Sequence, residues 1–78
     1  MFPMADGRQL RNISGDRAVR ASVRAGGVPR SGKGDHVNVK MPNGCVITIP
    51  RHREVKVGLL QAAIRRAGLT VEEFVELL

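Results

Sequence analysis

His36-Val37-Asn38-Val39-Lys40-Met41, then Pro42-Asn43-Gly44, then Cys45-Val46-Ile47-Thr48-Ile49 is the stretch that decides the fold. The first part alternates strictly: Val37, Val39 and Met41 share one face, and His36, Asn38 and Lys40 share the other. That is the period of a strand buried on one side. Pro-Asn-Gly is a turn signal, because proline presets φ and glycine tolerates left-handed backbone. The β-branched run that follows is bounded by Pro50, which has no N–H to give a ladder. The pattern predicts a β-hairpin.

Working upstream, residues 28–34 contain Pro29, Gly32 and Gly34 and read as a short strand or loop. Ser14-Gly15-Asp16 offers N-cap chemistry for a helix over 16–25, and Gly26-Gly27 ends it. On that helix Val19 and Val23 share one side, while Arg17, Arg20 and Arg24 form a stripe on another. Working downstream, Val57, Leu60, Ile64 and Ala67 recur at helical spacing, with Leu59 and Ala63 widening the apolar side, so a second helix is expected over 55–67. Gly68 closes it. Thr70-Val71-Glu72-Glu73 is a capping box opening a short helical tail, with Phe74 and Leu77 to pack it. Residues 1–13 lack periodicity and read as a flexible basic lead-in to a domain over 14–78. The order helix, strand, hairpin, helix predicts an α+β domain with helices on one sheet face.

A chain of 78 residues with two Phe, no Trp and no Tyr must build an aliphatic core in a single domain. Its single Cys45 excludes an internal disulfide and fits a reducing compartment; beside a turn and without a base partner, it reads as a packing residue. No apolar run reaches the ~18 residues a membrane span needs. These features give a cytoplasmic, soluble protein as the expectation, with no membrane partner. All 13 Lys and Arg lie at or before Arg66 against four acids there, and the last ten residues carry three Glu and no base. A surface so biased suits a polyanion, though charge alone does not separate RNA, DNA, anionic lipid and an acidic protein.

Gly27-Val28-Pro29-Arg30-Ser31-Gly32-Lys33 imitates a phosphate-binding loop for seven positions, but Gly34 stands where a magnesium-binding hydroxyl is needed, and a strand rather than a helix follows. The same glycines read differently with what comes next. Gly32-Lys33-Gly34-Asp35-His36 gives backbone N–H groups close access to a phosphate, places the Lys33 cation beside them, and sets His36 at the mouth of a strand. An imidazole trades protons near neutral pH, and RNA carries its own nucleophile in the 2′-hydroxyl. Cleavage then needs a proton-transfer group, positive charge and in-line positioning, with no metal or other cofactor. From spacing alone His36 reads either as that group or as an exposed strand-end histidine. His52 reads as an exposed connector residue, and Asp35, His36, His52 and Glu54 lack a metal-ligand spacing. Arg65 and Arg66 complement a helix C-terminus.

From Ser14 to Leu78 the chain resembles the HicA family of toxin ribonucleases. The resemblance lies in Gly34-Asp35-His36, in the Pro42-Asn43-Gly44 turn, and in Ile47-Thr48-Ile49-Pro50-Arg51-His52. It continues through Ile64-Arg65-Arg66-Ala67-Gly68-Leu69 and Thr70-Val71-Glu72-Glu73-Phe74. It implies an α-β-β-β-α domain like double-stranded-RNA-binding domains, a three-stranded antiparallel sheet packed on two helices. It also implies a toxin that cleaves mRNA and so inhibits translation, His36 as the catalytic residue, and silencing by an acidic HicB-type antitoxin. Lys33, Gly34, Arg17, Arg20, Arg24 and Lys40 are then the expected RNA and phosphate contacts. The chain departs from the family pattern at Asp35, where serine is usual, at Gly27, where an aromatic residue is common, and at Gly58-Leu59, where Gly-Thr is usual. An acid beside the histidine would either orient its ring or repel the phosphate. The rival expectations are a non-catalytic RNA-binding module and an interaction subunit for an acidic partner protein.

Overall fold

The computed structural model describes residues 7–78. Alternation does what it predicts: β2 (His36–Lys40) and β3 (Val46–Pro50) form an antiparallel hairpin with Val37 opposite Ile49 and Val39 opposite Ile47. The loop between them closes through Gly44 N–H to the Met41 carbonyl (2.8 Å) and Met41 N–H to the Cys45 carbonyl (2.8 Å), with Gly44 at φ 89°. The short segment upstream is a strand, β1 (Val28–Ser31), paired antiparallel to β2 with Pro29 opposite Val39. The sheet order is β1-β2-β3.

Helix α1 (Gly15–Arg24) starts where Ser14 caps it, its hydroxyl accepting the Arg17 N–H at 3.2 Å. Its buried side is made of small residues: Gly15, Ala18, Val19, Ala21 and Ser22, whose hydroxyl donates to the Ala18 carbonyl at 2.8 Å. Val23 does not join this side as expected and is 42% exposed. Alanines and a self-satisfied serine let the helix lie close to the sheet, and Val23 sits beyond the contact.

Helix α2 (Val57–Arg66) begins two residues later than its periodicity suggests. Val55 is buried ahead of the helix, its N–H given to the Ile13 carbonyl at 2.8 Å, and Lys56, extended at φ −62° and ψ 141°, is the N-cap. Leu60, Ala63, Ile64 and Ala67 are buried as predicted, but Leu59 is 46% exposed, beside β3 rather than under it. Asn43 in the hairpin turn donates to the Arg66 carbonyl at 3.0 Å, tying the turn to the end of α2. The tail is α3 (Val71–Leu77), with both bonds of the Thr70/Glu73 capping box formed and Phe74 buried.

The expected lead-in fails in part. Residues 1–6 lie outside the described residues, but a 3-10 turn (Gly7–Leu10) follows and packs with α2, and Leu10 and Ile13 are both core residues. Short-range periodicity cannot show this, because their partners lie some fifty residues away.

Candidate functional site

Because the helices cover the Val37/Val39 face, the other sheet face is open. Opposed residues share a face, so the open face carries the rows Val28–Lys40–Val46 and Arg30–Asn38–Thr48, then His36 beside Pro50. Thr48 donates to the Asn38 side-chain carbonyl at 2.7 Å, which fixes the middle row.

His36 sits where β2 begins because the β1–β2 turn is built for it. Gly34 has φ 58° and is the first central residue of a turn closed by the His36 N–H on the Lys33 carbonyl (3.0 Å), a place where glycine is favoured. The same carbonyl lies 3.2 Å from His36 Nδ1. A carbonyl oxygen only accepts, so this contact is a hydrogen bond in the tautomer with hydrogen on Nδ1, which leaves Nε2 for chemistry. Of the turn amides expected to cradle a phosphate, those of Gly32 and His36 are used inside the turn. Those of Lys33, Gly34 and Asp35 donate to no group among the described residues.

The imidazole lines an open cleft of about 350 Å³ together with Thr48, Pro50, Arg53, Glu54, Lys56 and Leu59. From the sequence, Arg53 lies in a polar connector and Lys56 in the expected second helix, neither with a role at the site, and Glu54 figures only in the metal-ligand spacing that is lacking. Register brings them here: His36 faces Pro50, the chain leaves β3 at that point, and Ser14 pairs with Glu54 to hold the connector against the start of α1. Only the distance between the end of one strand and the start of its neighbour could have revealed this.

Asp35 points away from His36. One carboxylate oxygen accepts the His52 N–H (3.1 Å) and lies 2.9 Å from His52 Nδ1; the other accepts Arg53 Nε at 3.3 Å. Desolvation pushes this carboxyl up, but the bonds from the His52 backbone, the His52 ring and Arg53, with the attraction of His52, together hold it below the ordinary Asp value. His52 is thus an anchored residue, though its side chain is 77% exposed. Among the described residues no three His, Cys, Asp or Glu side chains gather as a metal site.

The remaining expected contacts divide. Lys33 adjoins His36, and Lys40 lies on the same strand face, roughly 13 Å along it at ~3.3 Å per residue. Arg30, not singled out from the sequence, shares that face opposite Asn38. The Arg17, Arg20 and Arg24 stripe lines a separate shallow cavity with Leu78. There Arg20 pairs with Asp16 at 2.7 Å and Arg24 donates to the Leu77 carbonyl at 2.6 Å. No helix is long and apolar enough to cross a membrane among the described residues.

Residues 15–69 match the model of a family described as HicA toxin of bacterial toxin-antitoxin. No curated protein matches the chain.

Proposed function

The chain belongs to the HicA toxin family, a toxin of a bacterial toxin-antitoxin system with an antitoxin as its partner, and from that premise we propose that it is an endoribonuclease that cleaves mRNA through His36. The observation that carries this reading is the orientation of His36. Its Nδ1 is held by the Lys33 carbonyl while the rest of the ring lines a cleft with Arg53 and Lys56. An imidazole with one nitrogen anchored and the other turned to a cationic cleft is arranged to move a proton beside a phosphate.

The 2′-hydroxyl of the substrate is the nucleophile, so the reaction needs neither a covalent enzyme intermediate nor a metal. Lys33 and the amides around Gly34 lie beside His36 to bind the scissile phosphate. Lys40 extends the contact along the open sheet face, and Arg17, Arg20 and Arg24 hold more distant RNA by contacts that carry no sequence information. Such binding falls steeply with salt. A HicB-type acidic antitoxin silences the protein by covering the same cationic cleft, working in the cytoplasm where mRNA is found.

The test is cleavage of RNA in excess EDTA by the wild-type protein and by His36→Ala, with folding of both verified by circular dichroism. Fragments from wild type alone support the proposal. Intact RNA with both proteins, while binding persists, replaces it with a non-catalytic RNA-binding module.

A further inference from the structure

Transesterification of RNA moves two protons: one leaves the 2′-hydroxyl and one reaches the departing 5′-oxygen. A single imidazole leaves one of them to solvent. The charged and titratable groups lining the His36 cleft are His36, Arg53, Glu54 and Lys56. Arg53 is anchored through Nε to Asp35 at 3.3 Å, which leaves its two terminal nitrogens unspent. Asp35 is consumed by His52 and Arg53. Glu54 differs: its side chain makes no hydrogen bond or ion pair among the described residues, and the residue is exposed. Its backbone is fixed by the bridge to Ser14, with Arg53 accepting the Gly15 N–H at 2.8 Å on its carbonyl. Glu54 is thus a carboxylate on anchored backbone, without a partner among the described residues, lining the same cleft as the His36 imidazole, and the reaction calls for a second proton-transfer group.

We propose that Glu54 is the general base and His36 the general acid of this cleft, with Arg53 and Lys56 compensating the charge that builds on the phosphate. The proposal rests on the ribonuclease reading above. The Glu54 carboxylate takes the proton of the 2′-hydroxyl as its oxygen bonds to phosphorus. The bond from phosphorus to the 5′-oxygen breaks, and that oxygen takes the proton from His36 Nε2. The products are a 2′,3′-cyclic phosphate and a 5′-hydroxyl. Glu54 is left protonated and His36 neutral, and exchange with water restores both. In the protonated ring both nitrogens carry hydrogen, so the Nδ1 bond to the Lys33 carbonyl is kept throughout.

The experiment measures single-turnover cleavage of a short RNA across pH by the wild-type protein, Glu54→Gln, Glu54→Asp and His36→Ala. Each is repeated on the same RNA carrying sulfur in place of the scissile 5′-oxygen, a leaving group that needs no proton. Loss of a general base costs about 10²–10⁴ in rate. Glu54→Gln is therefore expected to lose at least a hundredfold, with the acid-side limb of the bell-shaped profile gone and RNA affinity retained; Glu54→Asp should recover part of the rate. The sulfur substrate should rescue His36→Ala and leave Glu54→Gln slow. Wild-type cleavage with an unchanged rate and profile in Glu54→Gln overturns the assignment while leaving His36 in place. Rescue of Glu54→Gln instead of His36→Ala also overturns it. Absence of cleavage by the wild-type protein fails the ribonuclease reading itself, and the role of Glu54 with it.

Discussion

The carboxylate of Asp35 lies 2.9 Å from the ring nitrogen of His52, seventeen residues away, and makes no bond to its neighbour His36. An acid that the sequence set beside the candidate histidine therefore belongs to a different job. It joins the β1–β2 turn to the connector after β3, and the Arg51 N–H to the Asp35 carbonyl at 2.8 Å strengthens the same junction.

This junction makes stability depend on pH in a definite direction. The Asp35 carboxyl is held below its ordinary value in the fold, so its contribution is complete above the unfolded carboxylate range and is lost as pH falls through the folded value. Asp35→Asn should melt below wild type at pH 7, and the gap between the two should shrink as pH drops below about 4, the unperturbed Asp range. Thermal melts at several pH values check this; a gap that stays constant or widens in acid contradicts it.

Gly15 and Gly58 make opposite predictions. A Cβ on Gly15 would stand 1.6 Å from the Pro50 carbonyl oxygen, whereas one on Gly58 would meet nothing within 4 Å. Backbone cannot yield as a flexible side chain does, so Gly15→Ala should cost about 3 kcal/mol or more. For a domain of this size that lowers Tm by some 12–24 °C, taking ~4–8 °C per kcal/mol. Gly58→Ala, inside α2, should instead raise stability by about 0.5–1 kcal/mol. Denaturant titrations of both variants decide the matter.

Those two glycines mark what could be read from the chain and what could not. Alternation specified the hairpin, because a one-residue slip would turn Val37, Val39, Ile47 and Ile49 to solvent. The capping box at Thr70 was legible because its two bonds are local. Helical stripes were less decisive: Val23 and Leu59 satisfy the spacing yet are exposed, since the layers meet through Ala18, Ala21 and Ala63. His36 could be picked out as a strand-mouth residue from its own neighbours. Arg53, Glu54 and Lys56 could not, because only the pairing of His36 with Pro50 and of Ser14 with Glu54 carries the connector to the imidazole. Burial of Leu10 and Ile13 was hidden for the same reason.

The tail is part of the core although it lies outside the matched residues 15–69. Phe74 is 2% exposed and packs in the same cluster as Leu10, Leu60 and Ile64. Phe74→Ala should cost about 3–5 kcal/mol, a large share of the ~5–15 kcal/mol that holds a domain together. Thr70→Ala, which removes the cap alone, should cost about 1 kcal/mol. Chemical denaturation that ranks Thr70→Ala as the more damaging of the two would contradict this packing.

The bond geometry at His36 also fixes a tautomer. With the Lys33 carbonyl 3.2 Å from Nδ1, a proton on Nε2 alone would set a ring lone pair against a carbonyl oxygen, two acceptors facing each other. The neutral ring should therefore carry its hydrogen on Nδ1, which is the less common form of a free imidazole and leaves Nε2 as the site that gains or loses a proton. Long-range nitrogen–proton NMR spectra at high pH distinguish the two forms through the unequal shifts of protonated and bare ring nitrogens. A protonated Nδ1 means the Lys33 carbonyl holds the ring, and moving that carbonyl by Gly34→Ala, strained at φ 58°, should release it and lower cleavage. A neutral ring protonated on Nε2 means the imidazole has turned away from the carbonyl, and the orientation on which the proposed role of His36 rests is then absent.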